Sequence, residues 1–277
     1  MNSGRTLLVG GSGWIGSRLA RVLPNVELLP ARALAEGSYV AELRLSPHDV
    51  VVNAAGRRSG DEGDLYAANV TLVKELVSLA DRGGCRVVQL GSAAEYGPGH
   101  HSPLSESTTP HPVSYYGVTK LIATEILQSR GNSTTLRIFN IASNPPQTGS
   151  PLADVLSRFR AGVAAGRPVE LLAPATVRDW VALDFVVQSV ARAVAVPTPG
   201  VFNICSGRGI SMRELAEAML QSRDAGRLGV RDLHAAEANT VIGDDRRWRS
   251  ASGLSQPLGP ADVASIALND QGSVDQP

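Results

Sequence analysis

Short apolar runs alternate with longer stretches of helical spacing through the first half of the chain. Thr6–Val9 is apolar and ends in glycines, the pattern of a buried strand. Trp14–Leu23 reads as a helix stopped by Pro24. Val26–Leu29 and Val50–Ala54 repeat the strand pattern, and residues 30–49 between them are too few for a full helix plus a strand. Asp64–Asp81 spaces Leu65, Leu72, Leu76 and Leu79 as a helix does, and Gly83-Gly84 ends it. Val87–Leu90 is a further strand. Residues 97–113 are crowded with Gly, Pro, His and Ser and read as loop. Ser114–Arg130 reads as a helix closed by Gly131, and Thr135–Phe139 as a strand. This alternation predicts βαβ units and an α/β fold with a doubly wound parallel sheet over residues 1–142.

The pattern changes after residue 140. Ser143–Pro151 is a turn-rich break. Beyond it the spacing predicts a helix near 152–165, strands near 169–172 and 176–181 and a helix near 183–195. A strand at Val201–Ile204 and a helix at 211–222 follow. The expectation is a smaller mixed C-terminal lobe, residues 143–270, that binds substrate, with parts of the chain crossing back to the sheet. The polar tail, 271–277, predicts disorder.

Composition narrows the function. Of 277 residues, 43% are hydrophobic and 19% charged, enough for a large packed core. Lys+Arg and Asp+Glu each number 26, so no global field draws the chain to nucleic acid or an anionic membrane. An anionic ligand needs a local cationic pocket. No stretch is long and apolar enough to span a bilayer, and the opening MNSGRTLLVGGSGWIG lacks a signal-peptide pattern, so a cytoplasmic protein is expected. Cys85 and Cys205 match no zinc spacing and read as reduced thiols in apolar strands.

Candidate chemistry begins at Gly10, Gly13 and Gly16, a GxxGxxG between the first strand and the first helix. Glycines there permit a tight turn and close approach of backbone N–H groups to a pyrophosphate. The fold expected is therefore of the Rossmann type. The second strand ends Leu29-Pro30-Ala31-Arg32, with a cation where NAD-type sites place an acid, so NADPH is favoured over NADH, with NAD(H) as the alternative. Arg57 and Arg58 follow the Asn53–Gly56 turn.

The stretch SYYGVTK, residues 114–120, holds two tyrosines and a lysine. Residues four apart share a helix face, so Tyr116 meets Lys120 and Tyr115 does not. A nearby ammonium is expected to lower the Tyr116 pKa and fit it to exchange a proton with a carbonyl or alcohol oxygen. Ser92, at a strand end, is the expected hydroxyl that polarises that oxygen. His100, His101 and His111 flank a proline-rich loop and read as solvated side chains, with no metal expected.

Taken in order, GGSGWIG, VVNAAG, Asn69 in YAANVT, LGSAAEYG, YGVTK, RIFN, RDWVALDFV and FNICSG resemble the extended short-chain dehydrogenase/reductases of the NAD-dependent epimerase/dehydratase family, over residues 5–250. The resemblance implies Ser92, Tyr116 and Lys120 as catalytic residues, with Lys120 also on the nicotinamide ribose. It implies a cofactor held by Gly10, Gly13, Trp14, Ile15 and Gly16, by Arg32, by Asn53, Ala54, Ala55 and Gly56, and by Asn69, which would hold a carbonyl near Lys120. Ser92, Ala93, Ala94, Asn140 and Arg178 would meet a nucleotide-sugar substrate, Asn140 as the residue closing the strand RIFN. Asp184 is expected to cap or anchor the helix that follows.

GSAAEYG separates the activities. The nucleotide-sugar 4,6-dehydratases that this chain resembles carry a carboxylate pair, or at least a glutamate, just after the catalytic hydroxyl, because elimination of water needs an acid and a base, and here those places are held by Ala93 and Ala94. Glu95 falls one place later and should point elsewhere. The spelling resembles nucleotide-sugar 4-keto-6-deoxyhexose reductases, so reduction of a C4 ketone is expected. An epimerase that retains NAD is the alternative enzyme, and a non-catalytic dinucleotide-binding protein the alternative of another class. By the same resemblance, helices 64–81 and 114–130 would pair across a homodimer.

Overall fold

Apolar burial on both faces sets the central sheet. The computed structural model describes residues 4–35, 43–99, 103–234 and 236–269. Its first half runs β1 (Thr6–Val9), α1 (Gly16–Val22), β2 (Val26–Leu29), α2 (Ala31–Ala35), β3 (Val50–Asn53), α3 (Glu62–Tyr66), α4 (Leu72–Gly83), β4 (Arg86–Ser92), α5 (Tyr115–Arg130) and β5 (Ser133–Ile138). The second half runs β6 (Asn140–Ala142), α6 (Pro151–Ala164), β7 (Val169–Leu171), β8 (Val177–Ala182), α7 (Leu183–Ala195), β9 (Gly200–Ile204), β10 (Gly209–Ser211), α8 (Met212–Ser222), β11 (Val230–Asp232), β12 (Thr240–Val241), α9 (Arg246–Ser252) and α10 (Pro260–Leu268).

Among the described residues, six strands form a parallel sheet in the order β2-β1-β3-β4-β5-β9. Leu7, Leu8, Val9, Val51, Val52 and Val88 are wholly buried, as strands covered by helices on both faces must be. On one face Leu72, Leu76, Leu79 and Leu127 pack against Leu7, Val9, Val51 and Val87. On the other, Phe185, Val186 and Val190 of α7 pack with Leu8, Val52, Val88 and Leu136. The strand order reverses beside β1, and the crevice at the carboxyl ends there is where open α/β sheets bind ligands.

The second core gathers Leu156, Phe159, Trp180, Leu215, Met219 and Ala264. It covers a small sheet, β10-β8-β12, with β6 beside β8 and β7 paired to β11. Meanwhile α7 and β9 return to the main sheet.

Several boundaries differ from the sequence reading. The predicted helix 64–81 is broken by a π-turn at Ala67–Thr71, which bulges around Asn69. Asn140 does not close the strand before it: β5 ends at Ile138, and Asn140 opens β6 opposite Trp180. Asp184 caps nothing, because Ala182 takes the cap position with no side-chain bond. Asp184 instead stands exposed in the first turn, 3.9 Å from Arg18. Five residues of the 30–49 segment form α2. The cysteines are buried free thiols immediately outside β4 and β9. His100, His101 and residues 271–277 lie outside the described residues, and His111 is exposed.

Candidate active site

The turn after β1 has no room for a side chain at Gly10 or Gly16. Gly10 has φ +82°, and a Cβ there would stand 2.5 Å from the Ala55 nitrogen. One on Gly16 would overlap the Gly10 carbonyl, which already accepts the Gly13 N–H at 2.9 Å. The turn thus packs directly on the turn after β3. Gly13, Trp14, Ile15, Ala54, Ala55 and Gly56 line the cleft above. Asn53 works from below: its Nδ2 donates to Gln89 Oε1 at 2.9 Å, and its Oδ1 accepts the Ala55 N–H at 3.1 Å. Arg32 is exposed on α2, just past the end of β2.

Ser92, Tyr116 and Lys120 come together at the carboxyl edge of β4, and all three line the cleft; Tyr115 does not. Ser92 ends the strand, and its side chain hydrogen-bonds Tyr116. Ser114 caps α5 by accepting the Gly117 N–H at 3.1 Å. A Cβ on Gly117 would stand 2.5 Å from the Ala94 carbonyl oxygen. Only glycine lets the start of α5 lie so close to the Ser92 turn.

The electrostatics correct one expectation. Lys120 is buried, and its Nζ donates to the Leu90 carbonyl. Burial lowers its pKa to about 8, with the Glu95 charge opposing. Burial also raises the Tyr116 pKa; the Ser92 hydrogen bond and the Arg58 charge pull it down, and Glu95 adds to the rise. The Lys120 ammonium turns to the strand carbonyl of Leu90. Arg58 supplies the cation the tyrosine feels.

Two buried polar side chains brace the site. Asn69 Nδ2 donates to the Arg57 carbonyl at 2.9 Å and to Thr119 Oγ1 at 3.0 Å, while its Oδ1 accepts the Arg57 N–H at 3.0 Å. It therefore ties the turn after β3 to the helix turn that carries Lys120. The π-bulge aims it there, as such bulges often do at functional sites. Glu95 points away from the cleft into the core, where it meets Arg137.

The opposite wall is polar. Asn140 donates to the Asp179 carbonyl at 3.1 Å. Arg178 Nη1 donates to Asn239 Oδ1 and to the Val177 carbonyl. Burial lowers its pKa, and no carboxylate offsets that burial. Arg58 reaches across to Gln147 Oε1 at 2.6 Å. The cleft holds about 630 Å³, and Ala93 and Ala94 lie on its floor. Among the described residues its lining includes Arg58, Lys120 and Arg178 and no carboxylate. Gln147 and Asn239 had no sequence signal: both sit in irregular segments. Glu95 had one, since S-x-x-E at 92–95 spells a capping box, which the structure forms.

The NAD dependent epimerase/dehydratase family matches residues 6–205, the span that carries the glycine turn, Ser92 and the Tyr116 helix. The chain belongs to this family. It is an enzyme of the NAD-dependent class that includes nucleotide-sugar epimerases and dehydratases. Similar curated members are a UDP-glucose 4-epimerase of Azospirillum brasilense, 27% identical over 78% of this chain and 77% of that protein, and one of Rhizobium meliloti (strain 1021), 23% identical over 97% of both. Among solved structures, RMD from Pseudomonas aeruginosa complexed with NADPH superposes with TM-score 0.79 at 24% identity, over 95% of this chain and 97% of that one. The UDP-N-acetylglucosamine 4-epimerase from Methanobrevibacter ruminantium M1, in complex with UDP-N-acetylmuramic acid, superposes with TM-score 0.81 at 17% identity, over 96% and 98%. These structures share the fold. The Bordetella bronchiseptica enzyme WbmG, in complex with NAD, superposes with TM-score 0.77 at 20% identity, over 97% of this chain and 94% of that one. Among the described residues, no helix is long and apolar enough to cross a membrane.

Proposed function

We propose that this family member reduces the C4 ketone of a nucleotide-linked 4-keto-6-deoxyhexose. The observation that carries the reading is the make-up of the cleft: a Ser–Tyr pair beside a buried lysine, cations at both walls and no carboxylate. A ketone reduction needs one proton donor and one polarising hydroxyl. Elimination of water needs a further acid and base, which the floor of Ala93 and Ala94 lacks.

The glycine cradle that a Cβ would fill fits a dinucleotide, held by Gly10, Gly13, Trp14, Ile15 and Gly16 on one side and Ala54–Gly56 on the other, with Asn53 and Asn69 shaping the turn. A reduced nicotinamide, when bound, supplies the hydride. Tyr116 gives its hydroxyl proton to the sugar oxygen at C4. Ser92, bonded to Tyr116, donates to that same oxygen and fixes its place. Lys120 holds the nicotinamide ribose. Arg178 grips the diphosphate, where a guanidinium fork suits phosphate oxygens, and Asn140 meets the sugar. Arg32 favours NADPH through its 2′-phosphate. Residues 1–142 thus carry the cofactor and 143–270 the sugar nucleotide, and α4 and α5 pair two copies in a homodimer.

A second reading is a 4-epimerase, and the named activity of both curated relatives favours it. It uses the same three residues but keeps its cofactor. Purified protein with NADPH or NADH and a panel of nucleotide-linked 4-keto-6-deoxyhexoses tests both readings. Stoichiometric loss of reduced-nicotinamide absorbance supports the reductase. No oxidation, with NAD co-purifying and a UDP-hexose inverted at C4, replaces it with the epimerase.

A further inference from the structure

Beneath the cleft, one buried carboxylate ties together the elements that carry Ser92 and Lys120. Glu95 is wholly out of solvent. Its Oε1 accepts the backbone N–H of Ser92 at 2.9 Å. Its Oε2 accepts Thr124 Oγ1 at 2.9 Å and Arg137 Nε at 2.7 Å. These partners sit on three different elements: Ser92 at the end of β4, Thr124 one turn beyond Lys120 on α5, and Arg137 on β5. Arg137 in turn lies over the Tyr96 ring, 4.7 Å from its centroid, and the Tyr96 hydroxyl donates to Asn203 at 2.7 Å. A Cβ on Gly91 would stand 2.9 Å from Glu95 Oε1, so the strand has given up a side chain to admit the carboxylate. The reaction proposed above assigns Glu95 no proton to move.

We propose that Glu95 is a positioning residue: its carboxylate fastens the strand end that presents Ser92 to the helix that presents Tyr116 and Lys120, and it is the counter-charge to Lys120, which lies one turn before the carboxylate's partner Thr124. The proposal rests on the reading of those three residues as the reacting groups.

The physical need is plain. A buried cation is costly unless a counter-charge and hydrogen bonds replace its hydration. Lys120 has the Leu90 carbonyl of β4 for one hydrogen bond. Against its desolvation stands the Glu95 charge. Arg137 competes for the same carboxylate from β5, and the Glu95 charge also acts on Tyr116. Three donors and two cations are the surroundings of an ionised carboxylate, although burial pushes its pKa up. Neutralising Glu95 leaves Lys120 to burial alone, so its proton departs at lower pH. Loss of the Thr124 and Ser92 bonds loosens the strand end against α5.

The chain offers a direct probe. Lys74 and Lys120 are its only lysines, and Lys74 is exposed. In the full chain carrying Lys74→Arg, selective 13C-lysine labelling leaves one ε-methylene signal, whose shift against pH titrates Lys120 with no substrate present. We expect Glu95→Gln to move that midpoint down by about one unit or more, and Glu95→Asp to restore most of the shift. The kcat of Glu95→Gln falls roughly tenfold with a smaller change in KM, and the alkaline limb of its pH profile moves with the NMR midpoint. Should Glu95→Gln fail to fold, the double variant Glu95→Gln/Arg137→Gln removes both charges, retains amide hydrogen bonding and is titrated in the same way. An unchanged Lys120 midpoint in a folded variant overturns the proposal. If the unsubstituted chain reduces no ketone on the panel, the proposed reaction fails, and the lysine titration still decides the role of Glu95.

Discussion

The two walls of the cleft are built differently. On the main-sheet wall the groups proposed to react are crowded and locked. Lys120 is buried with its ammonium on a strand carbonyl, and Gly117 lets α5 lie hard against the Ser92 turn. Asn69 and Glu95 bolt that helix to its neighbours. On the opposite wall Arg178 and Asn239 hold one another through an exposed hydrogen bond, and the Gln147 side chain accepts from Arg58. Chemistry needs reacting atoms placed to a fraction of an ångström. Recognition of a flexible diphosphate tolerates adjustable side chains. The contrast teaches which substitutions should strike rate and which should strike affinity.

The sharpest test of the contrast is Tyr116→Phe. Loss of the proton donor should lower kcat roughly a thousandfold while nicotinamide binding, read by fluorescence titration, stays within about twofold. A matching loss of cofactor affinity would make Tyr116 a binding residue and erase the division between walls.

Next in size is the pH response of Lys120. Its folded pKa is lowered from 10.5 to about 8. Below about pH 8 both folded and unfolded chains hold this proton, and the burial penalty is fully present. Between about 8 and 10.5 the unfolded chain binds more protons, so this group's contribution makes stability rise with pH, by roughly 3 kcal/mol across the window. Comparing unfolding of the native chain with Lys120→Met at each pH isolates it from the buried Cys85 thiol, whose raised pKa of about 11 acts in the opposite sense. Activity should run the other way and fall as pH rises through about 8, since the ammonium is the working form. A profile flat to pH 10 would show that the ammonium is not needed.

On the other wall, Arg178→Ala should raise KM by roughly ten- to a hundredfold, the worth of a charge-assisted hydrogen bond or two, and leave kcat within a few-fold in steady-state assays. A selective kcat loss would move Arg178 to the rigid side. Smallest is Arg32→Ser, expected to shift the NADPH/NADH ratio of kcat/KM by several-fold toward NADH. No shift would place the 2′ group elsewhere.

The two walls were also unequally legible in the sequence. Fixed spacings wrote the rigid one: GxxGxxG, Ser92 at a strand end and Tyr116 four residues before Lys120 each follow from backbone periodicity, and the structure gathers Ser92, Tyr116 and Lys120 into one cleft. What spacing could not show was where the Lys120 ammonium points, because that depends on a carbonyl thirty residues away in β4. Nor could it show the π-turn, which needs Asn69 to meet Thr119 across fifty residues. Asn140 misled for a local reason. Ile138 and Phe139 are apolar and run straight into Asn140, yet the Phe139 N–H donates to the Ile204 carbonyl and the chain starts a new strand at once. The loose wall comes from short strands and irregular segments such as 236–239, which carry no period to read.

The central claim is that this cleft moves a hydride between a nicotinamide and C4 of a nucleotide-linked sugar, in the direction of reduction. The most direct measurement gives the enzyme nicotinamide cofactor deuterated at C4 of its ring, together with the 4-keto-6-deoxyhexose substrate, and locates the label by NMR. The account predicts one deuterium at C4 of the released sugar for each cofactor oxidised, and none with Tyr116→Phe. A ketone left unreduced, with no deuterium gained and no cofactor consumed, would contradict it.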